Sequence, residues 1–123
     1  IPGVTDSEIP EILEAVKSAG ARGASFVMLR LPWAVAPIFM TWLADHRPQA
    51  AARVESLIRA MRSGKLNDPS FGSRMRGSGA YAEGIEKTFD VFAHKLGLDE
   101  PWTELDTSQF RPPRVDDGQL RLF

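Results

Sequence analysis

The chain has 123 residues, 43% of them hydrophobic and 25% charged, which suits one globular domain with a modest core and excludes a disordered tail. Fifteen basic and sixteen acidic side chains leave a net charge of −1, so the overall balance selects no partner. No cysteine is present, which excludes disulfides, thiol nucleophiles and cysteine-ligated metals, and His46 and His94 alone do not make a zinc site.

In chain order, Thr5-Asp6-Ser7-Glu8 has the form of a capping box, and Pro10 fits the first turn of a helix. Ile9, Ile12, Leu13 and Val16 share one helical face, and Gly20 is a suitable stop. The run from Ala24 to Leu31, closed by Pro32, predicts a strand buried on both faces. A second helix follows, with Val35, Ile38, Phe39, Trp42 and Leu43 on its inner face and Pro48 closing it. A third places Ala51, Val54, Leu57, Ile58 and Met61 together and ends at Ser63-Gly64. The glycine-rich stretch 64–79 predicts a long irregular loop, of a length more often functional than decorative. A last helix over roughly 80–96 carries Tyr81, Ile85, Phe89, Phe92 and Leu96 on its core face and stops at Gly97. Residues 98–123 read as an extended tail.

The fold expected is therefore mainly α with one or two strands. Residues 1–32 form a loop, helix and strand, and residues 33–97 a helical extension carrying the loop. The apolar runs are broken by Arg30, Pro32 and Pro37, so no membrane span or membrane partner is expected. No charged segment precedes an apolar signal region, which points to the cytoplasm, and the chain opens at Ile1 as if cut from a longer protein.

Ile1-Pro2-Gly3-Val4-Thr5-Asp6, the run Phe26 to Pro32, the loop GKLNDPSFGSRMRG and the ending LDTSQFRPP with QLRLF occur in an order that resembles one family. It is the radical S-adenosylmethionine enzymes, and within them the spore photoproduct lyase-like branch of DNA repair photolyases. The resemblance implies that residues 1–32 are the last βα unit of a partial TIM-type barrel. It also implies a larger parent enzyme that uses S-adenosylmethionine and a [4Fe–4S] cluster to abstract hydrogen by a 5′-deoxyadenosyl radical, with a damaged nucleic acid base as substrate. In the family an I-x-G-x-x-E motif lies against the adenine; here Ile1, Gly3 and Asp6 occupy those places, with Asp for Glu. The following strand would bring Leu29, Arg30 and Leu31 near the same ring. The cluster cysteines have no counterpart here, so this chain alone is expected to be inactive and to hold neither cofactor stably. Its first partner would be the missing N-terminal barrel.

Plainer roles compete for these residues. Asp6 also suits an ordinary helix N-cap, and Gly3 a permissive turn. Arg30, charged within an apolar run, needs a carboxylate or phosphate partner, or a place at an open strand end facing ligand.

Charge is uneven. Residues 47–76 hold seven basic and two acidic side chains, whereas both flanks are acidic. Arg62, Lys65, Arg74 and Arg76, with Phe71 and Met75 among them, are candidate nucleic-acid contacts: guanidinium forks and free amides suit phosphate, and an aromatic ring suits a base. The competing reading is neutralisation by the acidic last third. A stand-alone helical module binding nucleic acid or protein is the alternative function. His46 and His94 read as structural. An unpaired strand would also lead the isolated chain to self-associate. Gln119, Leu120, Leu122 and Phe123 resemble the Q-L-x-L-F peptide that docks on the bacterial sliding clamp; the alternative is that this tail covers its own domain.

Overall fold

The computed structural model describes residues 1–101 and 106–111. A 3₁₀ turn, Asp6–Glu8, leads into α1 (Ile9–Ser18); α2 (Val35–His46), α3 (Pro48–Met61) and α4 (Ala80–Lys95) follow. The described part is mainly helical, as the periodicity predicts. No described helix is long and apolar enough to cross a membrane.

Helix α1 packs on α4, α2 on α3, and α3 on α4. Between the two pairs runs the segment 24–32, which is extended but forms no strand among the described residues. The expected strand is corrected here: no described segment runs alongside it as a ladder partner. It is also buried on one side only, with Met28 4% and Val27 57% exposed. This segment joins the core. Leu31 packs with Leu43, Val54 and Ile58; Met28 packs with Met61 and Ala82; Ala24 lies against Leu13, Ala93 and Leu98.

Helix ends follow the sequence closely, with one exception. Gly97 at φ +60 lets the Gly97 and Leu98 amides bond the carbonyls of His94 and Ala93, and Leu98 then packs on Ala93. Leu98, read as the start of the tail, is instead 1% exposed core. The exception is the capping box. Thr5 makes no side-chain cap, and Asp6 turns back to Gly3. In α2, Phe39 and Leu43 hold the predicted inner face, joined by Ala36 and Met40, whereas Val35, Ile38 and Trp42 face solvent, a correction to that face. The tail peptide Gln119, Leu120, Leu122 and Phe123 lies outside the described residues.

Candidate functional site

Two places gather the residues that the sequence singles out. The first is a cleft where the opening segment meets the extended one. Gly3 sits at φ +75, and a Cβ there would lie 2.8 Å from Leu57 Cδ1, so the turn is shaped for glycine by both conformation and space. Its amide donates to Asp6 Oδ2 at 2.6 Å, and the Tyr81 hydroxyl from α4 donates to the same oxygen. Burial, then this carboxylate, pushes the Tyr81 phenol above its ordinary range. Asp6 is thus neither a helix cap nor a free ligand group. It ties the Gly3 turn to α4.

Ile1, Pro2, Thr5, Asp6 and Ile9 form one wall of a cleft of about 190 Å³, and Val27, Met28 and Leu29 stand across it. Ile1 and Asp6 are therefore brought together, with Gly3 shaping the turn between them. Leu31 is not at this cleft; its side chain is 1% exposed in the core. Arg30 is absent from the lining too, its Nη1 donating to Met75 Sδ at 3.8 Å. Leu29 lines the cleft in their stead, with Phe26, Val27 and Met28 before it. Tyr81 was legible only as a core-face residue, since its partner lies 75 positions away. The main-chain amides of Ser25, Phe26, Val27, Leu29 and Arg30 bond no acceptor among the described residues.

The second place is the loop 64–79, which is irregular but built. Asp68 accepts from the Ser70 amide at 2.9 Å and the Ser73 hydroxyl at 2.6 Å, and these bonds, Ser73 first, hold its carboxyl at about 2. Arg62 runs beneath the loop. Ser63 at φ +53 and Gly64 at φ +84 end α3 and turn the chain away, while the guanidinium goes inward. Nη1 donates to the carbonyls of Ser73 and Arg74 at 3.4 and 2.9 Å; Nη2 donates to those of Met28 and Leu29 at 3.2 and 3.0 Å. At 2% exposure Arg62 is a buried brace, which corrects its reading as a surface phosphate contact. Burial lowers its pKa, as does neighbouring Arg30, while Asp68 raises it.

The other basic candidates separate. Arg76 pairs with Glu86 of α4, as the neutralisation reading expects. Arg74 lies over the Phe71 ring, 5.1 Å from its centroid, and Lys65 is exposed. No described carboxylate is within ion-pair distance of Lys65, Arg74 or Arg30. His46 stacks on Trp42 with 5.3 Å between ring centroids, and His94 meets Asp99 at 2.8 Å, which lowers the Asp99 pKa. The described residues hold no cluster of three metal-ligating side chains.

No family model, curated protein or solved structure matches the chain.

Proposed function

We propose that this chain is the C-terminal part of a radical S-adenosylmethionine enzyme of the spore photoproduct lyase-like kind. Residues 1–32 line the adenine side of its barrel and the helices form a cap beside it. The observation that supports this reading is the cleft between Ile1–Asp6 and Val27–Leu29. A cleft with mostly apolar walls suits a flat heteroaromatic ring, and unpaired main-chain amides suit its edge nitrogens.

The residues fit one of the two groups that the resemblance implies. Ile1, Val27 and Leu29 would hold the ring of S-adenosylmethionine, while Gly3 and Asp6, locked by Tyr81, keep the wall in place. The iron–sulfur cluster is not fitted by this chain, which has no cysteine, so its ligands belong to the proposed N-terminal barrel. When bound, the two groups supply radical hydrogen abstraction; this chain orients the cofactor and excludes water. Nucleic acid as substrate rests on the resemblance, with exposed Lys65 and half-exposed Arg74 as the candidate phosphate contacts.

The test is anaerobic S-adenosylmethionine binding by the longer protein that carries this chain, with Leu29→Asp as the variant. The reading expects binding to fall at least tenfold, because a carboxylate would replace an apolar wall; unchanged affinity would overturn the assignment of this cleft.

A second reading, a helical interaction module, draws on α2. Its outer face leaves Ile38 68% exposed, and Trp33 just before it is 93% exposed at φ +40. A gene with no three-cysteine motif upstream of Ile1 would favour this module over the enzyme.

A further inference from the structure

Arg30 and Arg62 span the same gap, between the extended residues 28–30 and the turn 73–75. Arg62 bridges it through the carbonyls of Met28, Leu29, Ser73 and Arg74, and Arg30 bridges it to Met75. Two guanidinium groups thus bridge the same two segments with no described carboxylate in ion-pair reach of either. The buried Nε of each has no acceptor. Asp68, the nearest opposite charge in effect on Arg62, is already engaged by Ser70 and Ser73.

Such an arrangement is costly as it stands. Buried charge needs compensation, and like charges at close range repel. Arg62 is compensated in part by four carbonyl dipoles. Arg30 has only a thioether, a weak acceptor, for five N–H donors. Unlike Arg62 it is incompletely buried, so its outer edge reaches solvent. A guanidinium edge held by packing and left without an anion is a receptor for a planar pair of oxyanion oxygens.

We propose that Arg30 binds a phosphoryl oxyanion at this gap, with buried Arg62 behind it adding a fixed positive field. The anion is either free phosphate or a backbone phosphate of nucleic acid. Half-exposed Arg74, on the same turn, and exposed Lys65, in the same loop, would extend contact along a polynucleotide but add little for a single ion. The observations are separate from the cofactor cleft, so this inference stands or falls independently of the enzyme reading.

The experiment is thermal unfolding and titration calorimetry of the full 123-residue chain with inorganic phosphate, and separately with a short single-stranded oligonucleotide. Chloride at equal ionic strength is the reference. Phosphate should raise the melting temperature saturably, as a ligand of the native state does, and Arg30→Gln should abolish the shift. Without phosphate, Arg30→Gln should melt no lower than the parent chain, since it removes a charge repelling Arg62. Should that variant fail to fold, Arg30→Lys keeps the charge but loses the fork, and should bind phosphate about tenfold more weakly. An oligonucleotide that binds more tightly than phosphate, and loses affinity in both Arg30→Gln and Arg74→Ala, identifies the source as nucleic acid; phosphate binding alone identifies the free ion. An equal shift with chloride, or equal phosphate affinity in the parent chain, Arg30→Gln and Arg30→Lys, would mean an adventitious ion only and overturn the proposal.

Discussion

Replacing Arg62 with methionine removes a guanidinium while keeping most of the side chain's length and apolar stem. Four main-chain carbonyls lose their donor, and two of those bonds, to Arg74 at 2.9 Å and Leu29 at 3.0 Å, have good geometry. A hydrogen bond to a charged donor contributes about 1.5–3 kcal/mol, and the two longer bonds contribute less. Relief of guanidinium desolvation and of repulsion by Arg30 offsets part of the loss. The net expectation is a destabilisation of about 3 kcal/mol, with the loop at 70–77 detaching from the extended segment. Urea unfolding followed by circular dichroism measures the first, and hydrogen exchange at Met28, whose amide donates to Met75, measures the second. Arg62→Lys should recover only part of the loss, because one ammonium does not bridge both pairs of carbonyls. A loss below about 1 kcal/mol for Arg62→Met would refute the brace, since surface substitutions fall within about 0.5 kcal/mol.

Gly3→Ala should destabilise the chain by about 2 kcal/mol, from the left-handed conformation at about 1–2 kcal/mol plus displacement of the Leu57 methyl, and urea unfolding checks it. Gly20→Ala has the same conformational strain with open space around it and should cost less. Tyr81 is the sole tyrosine, so absorbance at alkaline pH reports it alone; its midpoint should lie above 10.0 and fall in Asp6→Ala. Asp68 has a folded-state pKa depressed to about 2, so its contribution to stability is present above pH ~4 and is lost as pH falls toward 2. Carboxyl-carbon NMR should follow that midpoint and move it upward in Ser73→Ala, and an unchanged midpoint would remove Ser73 as its main cause.

The helices were legible because their ends carry local signals. Pro10 falls in the first turn of α1, Pro48 stands just past the end of α2, and Gly97 closes α4 with the bonding that its position predicts. What escaped was decided by contacts distant in sequence. Thr5 to Glu8 spells a capping box, yet Asp6 is drawn to Gly3 and to Tyr81 of α4. The apolar run at 24–31 reads as a strand by composition, but composition does not supply a ladder partner. In α2 apolar residues surround the helix, so periodicity does not choose which side packs. Arg62 belongs to a basic cluster in sequence and to the core in space, because the α3 terminus turns there. Of the cofactor candidates, Ile1, Gly3 and Asp6 are adjacent in the chain and remain together. Arg30 and Leu31 part from them because Leu31 is taken into the core among Leu43, Val54 and Ile58 and Arg30 reaches across to Met75 of the loop.

The proposed role of residues 1–32 is to wall a radical S-adenosylmethionine site. The most direct measurement is anaerobic incubation of the longer, cluster-reconstituted protein with S-adenosylmethionine and a strong reductant, reading 5′-deoxyadenosine. 5′-Deoxyadenosine should form, and Leu29→Asp should suppress it. A protein that carries a full cluster complement and releases none would contradict that role.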